Sequence, residues 1–288
     1  MRSRNGGSDL VYYAGHRFRT SGVTSRETGT HNYDRMALAF FAPRVALLAG
    51  IALALAAPPA SAQGSGDGFL FNSPRGSFSM HGGWAVARAG SDIFSEVTSL
   101  LTVDKQDFSS FSVGGDISYA VTPRFDLVFG GDYSAAKKDS EFRDWVDNND
   151  QPIEQTTDFR RAPLTVSLKY YLTDRGRSVG QYAWIPSKYS PYVGAGGGAM
   201  WYRFRQQGDF TNPPEDLDVF YAELQSSGWA PTGHAMAGVD YTLGTWISFT
   251  AEGRYTLGKA SLDPEDYEGF EKIDLSGFAA TVGFRVRF

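Results

Sequence analysis

The stretch GFAATVGFRVRF, residues Gly277–Phe288, alternates without a break. Phe278, Ala280, Val282, Phe284, Val286 and Phe288 share one parity, and Ala279, Thr281, Gly283, Arg285 and Arg287 share the other. Successive side chains of a strand point to opposite faces, so this segment reads as a strand with one oily face and one polar face carrying two arginines. Such a strand is either half-buried in a soluble sheet or part of a barrel wall. The rest of the chain has to separate these.

Aromatics make up 15% of the 288 residues, with 33 glycines and no cysteine, a profile that favours β-structure. The mean hydropathy is -0.30 and no apolar run reaches the roughly 20 residues a spanning helix needs. That excludes helical spans and says nothing against strands. The longest apolar run, VALLAGIALALAA at 45–57, follows Arg44 and leads into PPASAQ, where Ala60-Ser61-Ala62 fits an A-x-A cleavage site. A buried helix is the competing reading, but helix cores rarely end in Pro-Pro followed by such a site. The expected organisation is a polar, unstructured extension over 1–35 upstream of a true start at Met36, a secretory signal peptide over 36–62, and one domain over 63–288. From Gln63 onward 20 Lys and Arg face 29 Asp and Glu, a formal charge of -9 that argues against nucleic acid.

That domain reads as eight amphipathic strands. GSFSMHGGWAVA (76–87) and FSVGGDISYAV (111–121) alternate with period two, and FDLVFGGDY (125–133) follows the second across the tight turn TPR. APLTVSLKYYL (162–172) is the fourth. PYVGAGGGAMWYRF (191–204) is the fifth, with its facing open: Tyr192, Met200, Tyr202 and Phe204 share one parity, and Val193, Ala195, Trp201 and Arg203 the other. GHAMAGVDYTL (233–243) and ISFTAEGRYTL (247–257) pair across GTW, and Gly277–Phe288 closes the set.

Alternation alone fits both a soluble barrel, whose oily face is the core, and a membrane barrel, whose oily face meets lipid. Three features favour the membrane. Aromatics such as Phe78, Tyr119, Phe125, Tyr133, Tyr192, Tyr241 and Tyr255 sit near strand ends, as interfacial girdles require. Short links alternate with long polar ones, and closing strand eight on strand one leaves no edge. An export signal supplies the route.

Across Gln63–Phe288 the sequence resembles the small Gram-negative outer-membrane β-barrels of the OmpW, OmpX and opacity-protein type, through KYSPYVGAGGGAMW, GHAMAGVDYTL, ISFTAEGRYTL and the ending VGFRVRF. The resemblance implies an all-β, eight-stranded antiparallel transmembrane β-barrel with up-and-down meander topology. It implies that Phe284, Val286 and Phe288 form the signal read by the barrel-assembly machinery. Expected partners are that machinery, periplasmic chaperones, outer-membrane lipid and lipopolysaccharide, with the protein a monomer. The link TDRGRSVGQYAWIPSKYS, Thr173–Ser190, departs from the family by being long where a periplasmic turn belongs.

With the oily faces outward, the lumen receives Asp116, Asp126, Asp132, Lys169, Asp240, Glu252, Arg254, Arg285 and Arg287, along with small residues from Val193 to Ala199. Five acids then face four bases, and enclosed charges must be paired or hydrated. Glu252, Arg254, Arg285 and Arg287 are expected to form one network with Asp240 and Asp116. Eight strands leave an interior that side chains nearly fill, so a non-enzymatic, plugged barrel is expected, with a narrow solute channel as the alternative. A lipid A-modifying enzyme is the second alternative, and it would need a nucleophile and base near His81 or His234, with Glu252 within reach of His234. The GAGGG run at 194–198 lacks the Gly-Lys-Ser/Thr of a phosphate loop. The carboxylate-rich segments at 139–158, 212–218 and 263–271 read as solvated loops without EF-hand spacing. No cofactor or metal is expected.

Overall fold

The computed structural model describes residues 68–147, 149–212 and 216–288, and the backbone of Arg2–Ser3, which pairs with Trp145 and Val146. The expected signal peptide lies outside the described residues, as does nearly all of the expected 1–35 extension.

Eight strands carry the fold: β1 (Gly76–Ala87), β2 (Ser110–Ala120), β3 (Phe125–Val146), β4 (Pro152–Tyr171), β5 (Tyr189–Asn212), β6 (Asp216–Thr242), β7 (Ile247–Ala260) and β8 (Gly277–Arg287). Each pairs antiparallel with its sequence neighbours, and β8 returns to β1, with Phe284 opposite Met80. The sheet is therefore a closed up-and-down barrel.

Its two faces are reversed relative to a soluble protein. Met80, Trp84, Phe111, Ile117, Phe129, Leu164, Leu168, Trp229, Leu257, Val282 and Phe284 stand exposed on the outer wall, while Ser79, Asp116, Asp126, Lys169, Asp240, Thr250 and Arg285 are buried inside. A continuous apolar belt around the whole wall far exceeds the few hundred Å² that soluble monomers leave uncovered. Tyr119, Phe125, Tyr189, Tyr241 and Phe288 ring its lower edge, and Trp84, Phe111, Tyr133, Trp229 and Phe278 its upper edge, as interfacial aromatics do. The fold is an eight-stranded transmembrane β-barrel.

Two facing expectations change. Tyr192 does not join a girdle: the pairing of Tyr170 with Val193 and Leu168 with Ala195 sets the odd-numbered residues of β5 outward, so Tyr192, Met200, Tyr202 and Phe204 are buried inside. For the same reason Val193 is exposed on the wall, and Gly194, Gly196 and Gly198 face the lumen. A Cβ at Gly198 would run into the Leu164 carbonyl of β4, so glycine permits the close approach there.

The lower end, where Val121–Arg124 and Leu243–Trp246 make the tight turns, is spanned by the long link. Within it Gly176–Val179 and Ala183–Pro186 form a hairpin, and Leu70–Phe71 adds a third strand alongside. Trp184 is buried beneath this small sheet.

At the upper end β3–β6 run well past the belt. The described residues of 139–158 and of 212–218, segments expected as solvated loops, are largely strand, and in 139–158 alternation persists with its outer face now polar. Lys137, Asp139 and Glu154 face water, and Phe142, Ile153, Phe159, Phe204 and Leu224 face in. Between β1 and β2 lies a helix that the sequence reading missed, α1 (Asp92–Leu100), whose Ile93, Phe94 and Val97 are buried. It packs with Leu262, Tyr267, Ile273 and Leu275 of the β7–β8 connection into an apolar plug over the lumen. The Phe94 ring lies 4.7, 5.3 and 5.7 Å from those of Phe108, Phe159 and Phe204, in the edge-to-face arrangement aromatic quadrupoles favour. The acidic segment 263–271 is thus part of a core, not a solvated loop. Burial pushes the Tyr267 phenol well up, which keeps it a donor to the Leu224 carbonyl at 3.2 Å. Asp92 and Asp274 tie the pieces together by accepting from the N–H groups of Glu271 and Gly90, at 2.7 and 3.2 Å.

Candidate functional site

Below the plug the lumen is a column of charged and hydroxyl groups, each delivered by the inward parity of its strand. Two ion clusters stand one above the other. In the upper one, Arg254 of β7 bonds Asp132 of β3 at 2.9 Å and Glu252 of its own strand at 2.8 Å. His81 of β1 shares Asp132 at 2.7 Å, and Tyr192 donates to Glu252 at 2.8 Å. Pro163 of β4, with no N–H to offer, sits where the β3–β4 ladder breaks beside Asp132. Lys169 is fully buried, 3.7 Å from Glu252, with its ammonium 4.0 Å above the Tyr192 ring, so a carboxylate and a π-face offset its desolvation.

In the lower cluster Arg285 of β8 donates to Asp240 of β6 at 2.7 Å and to the Tyr171 hydroxyl at 2.7 Å. Tyr171 and Thr250 also donate to Asp240, at 2.9 and 2.7 Å. Asp116 takes a hydrogen bond from Ser79 and lies 3.8 Å from Arg285. His81 Nδ1, 3.9 Å from Asp116, joins the clusters.

The nine lumen charges expected from parity all face the interior, but their partnerships differ from the expected single network. Arg254 binds Asp132 and Glu252 rather than Asp240. Arg287 has no carboxylate within ion-pair distance among the described residues, where its one side-chain hydrogen bond is to Thr242 at 3.2 Å. Parity fixes facing and not height: Arg287 lies at the bottom of β8, opposite Ser77, below the Asp240 level. The expected excess of one acid is also removed. Arg175, from the long link, reaches up to Asp126 at 2.8 Å and makes five bases for five acids. A residue in a link has no strand parity, so only the unusual length of that link pointed to it.

Chemically, the column holds charges in place. Ser167 Oγ and His234 Nε2 are 2.8 Å apart, while among the described residues His234 Nδ1 has no hydrogen-bond partner, and Glu252 binds Tyr192 and Arg254. Among the described residues no cluster of His, Asp and Glu is arranged to hold a metal ion. Phe284, Val286 and Phe288, the expected assembly signal, all face outward at the end of β8.

No family model and no curated protein matches the chain. Among solved structures, OprG from Pseudomonas aeruginosa is similar at 18% identity over 76% of this chain and 99% of that one, with a TM-score of 0.41. Outer membrane protein W of E. coli is similar at 19% identity over 75% and 100%, TM-score 0.35. Neisserial surface protein A is similar at 15% over 75% and 98%, TM-score 0.36. Likeness at this level carries no argument about activity. In strand number, closure, apolar belt and polar interior, the chain has the architecture of the small Gram-negative outer-membrane β-barrels.

Proposed function

We propose that the protein is a closed, non-enzymatic outer-membrane barrel whose role is structural or surface-facing, its lumen serving as a rigid strut and not a pore. The observation that carries this reading is closure at three levels: the apolar plug around Phe94, the paired ion column, and the small sheet over the lower mouth. Short turns lie on the periplasmic side of such barrels and long connections outside, so the plug and the extended walls of β3–β6 face the exterior. Purified protein in planar lipid bilayers should give no discrete conductance steps at neutral pH. Regular steps would favour the narrow-channel alternative.

The outer-membrane location supposes export and assembly. Protein from the outer-membrane fraction should begin at Gln63, and a chain retaining residues 36–62 would contradict cleavage after Ala62. For assembly, Phe288→Ala is informative because the backbone of Phe288 closes β8 onto β1: its carbonyl accepts from Arg75 and Gly76 at 3.1 and 3.0 Å, and its N–H donates to Gly76. The substitution keeps those bonds and removes only the ring, so a lower yield of heat-modifiable barrel would assign the defect to recognition of the side chain. Unchanged yield at native expression would remove that role.

A further inference from the structure

Arg287 is an anomaly in a column whose other four bases each stand within ion-pair distance of a carboxylate. It is 9% exposed, its Nη1 has no hydrogen-bond partner, and among the described residues no carboxylate stands within ion-pair distance. A buried cation left this way costs several kcal/mol unless something answers it. It does not face a packed wall. It lines a cavity of about 80 Å³ at the lower mouth, together with Arg75, Arg175, Arg285, Ser77 and Trp184.

The carboxylates lining that cavity are already engaged. Asp126 is held by Arg175 at 2.8 Å, and Asp174 by Arg124 at 2.8 Å. Arg285 is likewise committed to Asp240 at 2.7 Å. Arg75, exposed at the rim, and Arg287 both line this small, hydroxyl-bearing space, and among the described residues neither has a carboxylate within ion-pair distance. We infer that the lower mouth binds a small oxyanion of the phosphate class, clamped between Arg287 inside the barrel and Arg75 at its rim. Guanidinium donors match phosphate oxygens in geometry and bond them with charge assistance. The cavity is large enough for an oxyanion or a single headgroup phosphate. On the orientation proposed above it opens to the periplasmic side, where both free phosphate and the phosphates of the inner-leaflet lipids are found.

The test uses the folded barrel in dodecyl maltoside, with inorganic phosphate as the first probe. Phosphorus NMR should show the phosphate resonance broadening as protein is added, at constant ionic strength set with chloride. Arg287→Gln should weaken binding about tenfold or more, as loss of a charge-assisted bond predicts, while Arg287→Lys retains part of it. Heat-modifiable migration on gels establishes that each variant is folded. A short-chain phosphatidic acid is the second probe: displacement of inorganic phosphate by it identifies the lipid as the source, and failure to displace identifies the free ion. Absence of broadening with either probe, or equal broadening by Arg287→Gln, overturns the inference. Because Arg287→Gln removes an unanswered charge, its urea midpoint in chloride should equal or exceed that of wild type. A lower midpoint would mean that Arg287 is already paired, and would also overturn it.

Discussion

Arg285→Ala is expected to lower the stability of the folded barrel by about 3–5 kcal/mol, the cost of breaking a buried pair from one side. Arg285 is the only base within ion-pair distance of Asp240 among the described residues, and it also lies 3.8 Å from Asp116. Removing it leaves two buried carboxylates facing each other across the lumen. The measurement is the urea midpoint of unfolding from lipid vesicles, followed by tryptophan fluorescence. The double variant Arg285→Ala, Asp240→Asn should recover a large part of the loss, because the charge that was stranded is gone and Tyr171 and Thr250 can still hydrogen-bond the amide. If Arg285→Ala unfolds at the wild-type midpoint, the column is hydrated strongly enough that pairing does not matter, and the strut reading loses its basis.

Phe249→Arg should cost about 2–4 kcal/mol if the residue sits near the bilayer midplane, by the depth-dependent penalty for arginine on the lipid face. Phe249 is outward on β7, opposite Phe284 of β8, with the two rings 5.8 Å apart. The same substitution at Lys137, outward on β3 above the belt, should change the midpoint by less than about 0.5 kcal/mol, as surface positions do. The contrast between the two sites locates the edge of the lipid. Equal small effects at both would mean that the belt faces water, and the reversed barrel would have to be abandoned.

Much of this was legible from alternation. In β2, β7 and β8, and in β6 from Gly233 onward, the pattern was unbroken, so the facing of these strands followed from period two. Legibility failed where that signal is degenerate. In β5 the run from Gly194 to Gly198 has no side chains to tell in from out, and the register with β4 decided it. The wall above the belt was hidden because its outer face becomes charged while its inner face becomes apolar, so that it reads as polar loop in composition. The plug was missed because α1 spans nine residues with only Ile93, Phe94 and Val97 buried, and its partners come from a segment nearly two hundred residues away. The partners of the charges were illegible in principle, since height along the barrel depends on strand stagger, which no single strand encodes.

The uneven wall has a consequence for reach. A strand crosses the hydrocarbon in roughly 9–11 residues, whereas β5 has 24 and β6 has 27. At about 3.3 Å per residue and a tilt near 40°, the surplus lifts the upper ends of β5 and β6 roughly 35–40 Å above the lipid, on one side of the barrel only. Phe220 and Tyr221 stand exposed near that tip, on the side that the orientation proposed above turns to the exterior. On that orientation the barrel is a tethered mast: the bilayer fixes its foot, the plug packs within its shaft, and the exposed aromatic side chains ride on an asymmetric blade well clear of the lipid.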